Sequence, residues 1–145
     1  MYINEVKISY HPRYKISDLK KITSSSDAHK LLREIWNQDL SYRETFYLVL
    51  LNRNNKAIGV KEFEGGTSSC LVDIKICLQI AILGNAQGVL VAHNHPSGNL
   101  KPSGQDNKLT NDLQKAFSAV QISLLDHIII DPENGYYSYM DEGLL

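Results

Sequence analysis

Residues Gly88-Val89-Leu90-Val91-Ala92 form an unbroken apolar run, with no polar position to show which side faces water. A strand of this kind is buried on both faces, so it lies inside a sheet with other elements packed over it. The run ends at His93, and loop-forming residues follow at once. A sheet interior therefore delivers an imidazole to its edge, where α/β folds present chemistry.

The rest of the chain alternates helical and strand patterns around that run. Tyr2 to Tyr10 alternates as a strand that Pro12 interrupts, and Ser24-Ser25-Ser26-Asp27 offers N-caps for a helix through Leu31, Leu32, Ile35 and Trp36. Phe46–Leu51 and Ala57–Phe63 flank the polar turn Asn52-Arg53-Asn54-Asn55-Lys56 and read as antiparallel strands. A helix over Val72–Leu83 is closed by Gly84. Another runs from Gly104 to about Val120, with Leu109, Leu113, Ala116, Phe117 and Val120 inward. Ile122–Ile130 and Tyr136–Tyr139 complete the strands, separated by the turn Pro132-Glu133-Asn134-Gly135. At 145 residues this is one domain's worth of chain, with helices and strands alternating as in an α/β fold. Residues 1–40 read as a strand-and-helix extension and 41–145 as the body of the domain.

The segment from His93 to Asp106 gathers two imidazoles, a hydroxyl at Ser103 and a carboxylate. On an extended chain His93 and His95 point to the same side, so each can offer a nitrogen to one ion. Asp106 can return across the Pro/Gly-rich loop as a third ligand. Ser103 with Asp106 three residues on also fits a helix N-cap, which would hold that carboxylate at the first turn. Two imidazoles and one carboxylate suit a borderline divalent ion, and three protein ligands leave a fourth position for water, as in catalytic zinc. Zinc lowers the pKa of a bound water to about 7, making it a nucleophile at neutral pH.

Composition narrows the alternatives. A net charge of −1 provides no overall basic field for nucleic acid, although Lys7, Arg13, Lys15, Lys20 and Lys21 enrich the amino-terminal arm in cations. Cys70 and Cys77 form no Cys-x-x-Cys pair, and the start lacks a signal pattern, so the expectation is a reduced, cytoplasmic protein. Both cysteines read as small apolar packing residues. No apolar run approaches the roughly 20 residues that span a bilayer.

The spacing His93-x-His95, Ser103, Asp106 resembles the signature of JAMM metalloproteases, which have the JAB/MPN fold. The fuller string His93-Asn94-His95-Pro96-Ser97-Gly98, Pro102-Ser103 and Leu125-Asp126-His127 is similar to the RadC branch of that family, over about residues 40–145. The resemblance implies a cytidine-deaminase-like mixed sheet, with 41–145 as a RadC-type JAB/MPN domain. It implies one Zn2+ per chain on His93, His95 and Asp106, with Ser103 at the oxyanion or the water. It also implies a glutamate upstream as general acid/base. Glu44, just before the apolar run Tyr47–Leu51, fits that place, while Glu62 and Glu64 in the next strand are the alternatives. Asp126 and His127, polar residues within an apolar strand, are either a buried pair satisfied by backbone or outer support for a ligand imidazole.

The implied reaction is amide hydrolysis on a polypeptide or isopeptide-linked substrate. Members of the RadC branch also carry a DNA-repair label, so an accessory role in DNA repair or mobile-element metabolism is the alternative. Full-length members have a helix-hairpin-helix-like segment ahead of this core, for which the lead here is short. Phosphodiester hydrolysis is disfavoured, because one mononuclear site without further carboxylates or arginines is weak equipment for it.

Overall fold

The computed structural model describes residues 3–7, 9–37, 39–66 and 71–145. Its sheet is built from β1 (Thr45–Leu51), β2 (Ala57–Glu64), β3 (Gly88–Asn94), β4 (Ser123–Ile130) and β5 (Tyr136–Ser138), in spatial order β2-β1-β3-β4-β5. Among the described residues only β3 and β4 pair in parallel; the other neighbours are antiparallel, so the sheet is mixed, as the family resemblance implies. Parallel neighbours need a long crossover, supplied here by α3 (Gly104–Ala119). Two further α-helices among the described residues are α1 (Ser25–Ile35) and α2 (Ile74–Leu83).

All seven residues of β3 are buried, because helices cover both faces of the sheet. Alternation sends Phe46, Leu48 and Leu50 of β1, with Val89 and Val91 of β3, to one face. There they meet Cys77 and Ala81 of α2 and Leu113 and Phe117 of α3. Tyr47, Val49, Leu51, Leu90 and Ala92 go to the other face, against Ala28, Leu31 and Leu32 of α1. Each large apolar side chain withdrawn in this way contributes about 1.5–3 kcal/mol, so both layers are needed to hold β3 dry. The helix placed by sequence in the 1–40 extension thus forms one wall of the core.

Local chemistry accounts for the element ends. Ser24 Oγ accepts the Asp27 N–H at 3.1 Å, starting α1. Asn52 Oδ1 accepts the N–H groups of Asn54 and Lys56 at 3.0 and 2.9 Å, building the β1–β2 turn from the asparagine that opens it. Gly84 closes α2, yet its φ is an ordinary −77°. A Cβ there would stand 2.4 Å from Leu50 Cδ1, so glycine lets β1 approach; the left-handed residue is Asn85, at φ 57°.

Several sequence expectations are corrected. Among the described residues of 2–10 there is no strand, and all of those residues are exposed. The amino-terminal lead meets the sheet further on, where Ile22 N–H donates to Asn55 O and Ala57 N–H donates to Lys20 O, each at 2.9 Å. Alternation without a neighbouring edge to bond does not make a strand. Helix α2 starts at Ile74, later than expected, because Asp73 caps it by accepting the Ile76 N–H. Val120 is exposed because α3 ends at Ala119 and Val120 is its C-cap, while Thr110 joins Asp106, Leu113 and Phe117 on the buried face. No helix among the described residues is long and apolar enough to cross a membrane.

His29 on α1 stacks on Tyr136 and accepts a hydrogen bond from Arg33 Nε at 2.8 Å. Burial and the Arg33 charge push its pKa below the ordinary value near 6.5. The unfolded chain therefore binds the proton more readily, so the stability tied to this group is present above about pH 6.5 and is lost as pH falls through the lowered folded value. His29→Gln should lose less thermal stability than the wild type between about pH 7.5 and 5.5, measured by circular dichroism. Equal losses would show that His29 is not the group responsible.

Candidate metal centre

β3 carries His93 to the carboxyl end of the sheet, opposite Phe46 of β1, on the face covered by α2 and α3. His95 lies two residues on, beyond the strand as assigned, but its N–H still bonds Ile130 O at 2.9 Å. Extended geometry thus continues, and both imidazoles point the same way. Asp106 comes from the first turn of α3. Ser103 Oγ accepts the Asp106 N–H at 3.0 Å, and Asp106 Oδ2 accepts the Ser103 N–H at 2.7 Å, a reciprocal capping box.

His93 Nε2 and His95 Nε2 lie 2.9 Å apart, and they stand 3.2 and 3.3 Å from Asp106 Oδ1 and Oδ2 respectively. Ligand bonds of about 2.0–2.1 Å in a tetrahedron put neighbouring ligand atoms roughly 3.3 Å apart, so the cluster has the size a zinc-like ion requires. The donor chemistry agrees. His95 Nδ1 donates to Asn99 O at 2.6 Å, leaving Nε2 as a lone pair, and His93 Nδ1 is engaged by His127 Nε2 at 2.8 Å. Two ring nitrogens and a carboxylate that converge in this way repel one another unless a proton or a cation lies among them. The three side chains could therefore hold a metal ion.

The electrostatics report the same convergence. Hydrogen bonding to Asp106 raises the His95 pKa, against the opposing effect of burial. Burial by itself would raise the Asp106 carboxyl; the hydrogen bonds of His93 and His95, the charge of His93 and the Ser103 N–H bring it far below the carboxylate range. A cation entering the cluster competes with protons for the same lone pairs.

Glu44 lies immediately before β1 and lines the same cleft of about 690 Å³ as His93, His95, Ser103 and Asp106. Burial raises its carboxyl, and the neighbouring histidines partly counter this. Its segment is held by Asn94, fully buried between the two histidines: Oδ1 accepts the Thr45 N–H at 2.7 Å, and Nδ2 donates to Leu40 O and Arg43 O at 2.8 Å each. Those bonds grip the backbone on both sides of Glu44. Glu62 and Glu64 pair with Tyr47 and Thr45 of β1, whose side chains point to the face away from the histidines. Neither lines the cleft, so the sheet separates both alternatives from the cluster. Cys70 lies outside the described residues, and Cys77 is a buried core residue.

Asp126 and His127 separate across β4. Asp126 accepts from the backbone N–H groups of His127 and Met140 at 2.7 and 3.0 Å and from Ser138 Oγ at 2.6 Å, which tethers the segment after β5. His127 faces the cluster and bonds His93; burial and the nearby His93 hold its pKa well below the ordinary value. Asn94 and Thr110 were missed by sequence reasoning. For Thr110 a signal existed, since a hydroxyl four residues after Asp106 shares its helix face.

Removal of one ligand should abolish metal binding. The wild type loaded with zinc and freed of excess should retain about one equivalent by elemental analysis, whereas His93→Ala and Asp106→Asn should retain almost none. Asparagine keeps an oxygen for the Ser103 N–H, so the helix cap survives the test. Equal metal in all three proteins would remove the centre.

Comparison with known proteins agrees with this geometry. The family model described as RadC-like JAB domain matches residues 22–144. The chain is 38% identical to a UPF0758 protein of Flavobacterium johnsoniae over 130 residues, covering 89% of this chain and 56% of the relative. It is 35% identical to a UPF0758 protein of Porphyromonas gingivalis over 135 residues, covering 92% and 59%. A third, from Rubrobacter xylanophilus, is 40% identical over 126 residues, covering 86% and 53%. The chain thus spans little more than half the length of these relatives. With its mixed sheet, its His93/His95/Asp106 cluster and this match over most of its length, the chain belongs to the RadC-like JAB domain family.

Proposed function

We propose that this protein is a zinc-dependent hydrolase of the JAMM type, a metallopeptidase or isopeptidase that cleaves an amide bond in a polypeptide or isopeptide-linked substrate. The observation that carries the reading is the shared cleft. One open trough holds a three-ligand nitrogen and oxygen cluster beside a half-buried carboxylate, Glu44. When bound, one Zn2+ would polarise the scissile carbonyl and lower the pKa of a water toward about 7.

The chain's own groups supply the rest. As the water adds to the carbonyl carbon and the C–N bond breaks, Glu44 takes the water's proton on a carboxylate oxygen and passes it to the leaving nitrogen. A carboxyl raised by burial suits both halves of that transfer better than a solvated one. Asn94 holds the Glu44 segment by backbone bonds, so the base does not depend on its own loop for position. Ser103 accepts the Asp106 N–H through an oxygen lone pair and keeps its hydroxyl proton for the developing oxyanion. Phe46, Val72, Ile74 and Leu109 give the trough apolar walls, against which a peptide can lie with its carbonyl toward the cluster.

Glu44→Gln preserves size and hydrogen bonding but cannot carry the proton. Zinc content should be unchanged, and kcat on fluorogenic peptide and isopeptide-linked substrates should fall about 10²–10⁴-fold. A fully active Glu44→Gln protein would exclude this carboxylate as the base. A panel on which the zinc-loaded wild type shows no metal-dependent cleavage would count against amide hydrolysis itself.

A further inference from the structure

Thr110 stands one helical turn after Asp106, a buried hydroxyl on the same face of α3 as Leu113 and Phe117. Its Oγ1 lies 2.7 Å from the backbone oxygen of Asp106 and 2.6 Å from His127 Nδ1. A carbonyl only accepts, so the single hydroxyl proton goes to Asp106 O, and Oγ1 must accept from His127 Nδ1–H. His127 Nε2 is then free to accept, and it lies 2.8 Å from His93 Nδ1.

The other end of the chain of bonds requires the same assignment. A His93 that binds a cation through Nε2 carries its one ring proton on Nδ1. That proton reaches His127 Nε2, which must accept it, so the proton of His127 belongs on Nδ1 and points at Thr110. The two derivations meet without conflict. We propose that Thr110 is a positioning residue for the metal centre: its hydroxyl, committed to Asp106 O, acts through His127 to select the His93 tautomer that presents Nε2 to a cation. The helix carrying one ligand thereby sets the protonation pattern of another ligand on a different element. Tyr139 stacks on His127 at 4.9 Å between ring centres and 10° between planes, and is itself held by a 2.7 Å bond to Asn107 Oδ1, so the relay ring is kept in its plane.

The inference rests on the metal-centre reading and can fail separately from it. Thr110→Val keeps the shape and removes the hydroxyl, whereas Thr110→Ser restores it. Titration of the metal-free chain with Co2+ should show the valine variant binding about 10–100-fold more weakly and the serine variant close to wild type. Long-range 1H–15N spectra of the imidazoles in the metal-free proteins should place the His93 proton on Nδ1 in the wild type and the serine variant, and show it redistributed to Nε2 in the valine variant. Wild-type affinity and unchanged imidazole signals in Thr110→Val would overturn the relay. So would weak binding that serine does not rescue, which would mark Thr110 as a packing residue. If the wild type binds Co2+ no better than His93→Ala, the metal centre itself falls and the relay with it.

Discussion

Parallel pairing of β3 with β4 governs the remainder of the architecture. Two parallel neighbours cannot be joined by a tight turn, so the chain must leave the carboxyl end of β3, cross the sheet through α3 and re-enter at the start of β4. That route puts the end of β3, the loop after it and the first turn of α3 at one place. His93, His95, Ser103 and Asp106 are distributed over these three pieces. The cluster is thus a consequence of connectivity, and a hairpin at the same point would have carried Asp106 elsewhere.

The same few groups serve stability and chemistry together. The Asp106 carboxylate closes the start of α3 through Ser103 and faces two imidazoles, so the aspartate is fixed before any ion is present. Asn94 lies between the two histidines but points to the far side of the strand, where it saturates the backbone around Glu44. The tripeptide His93-Asn94-His95 therefore supplies two candidate ligands from one side and a clamp from the other. The bond from the Thr45 N–H to Asn94 Oδ1 is buried, which strengthens it relative to one on an exposed loop.

Much of this was legible along the chain. The apolar run of β3, the period of two that aligns His93 with His95, and the cap signature that places Asp106 all act between residues close in sequence. Glu44 was reachable only through family resemblance, because nothing local distinguishes it from Glu62 or Glu64; the sheet, which places those two on its other face, made the distinction. Asn94 reads as an ordinary polar residue until Thr45, which lies 49 positions earlier, is laid beside it. The strand expected near the amino terminus failed for the complementary reason, since a strand needs a neighbouring edge that its own residues cannot reveal.

By itself the sequence determined the helices and strands of the domain body and which three side chains could meet, because hydrophobic period, caps and turns are short-range properties of the backbone. Only the tertiary structure decided which carboxylate shares the cleft, which polar residue of β4 bonds a candidate ligand and which two groups Thr110 meets. Those choices depend on the phase of α3 and the register of β1 and β4 against β3, which are set when distant segments exclude water between them.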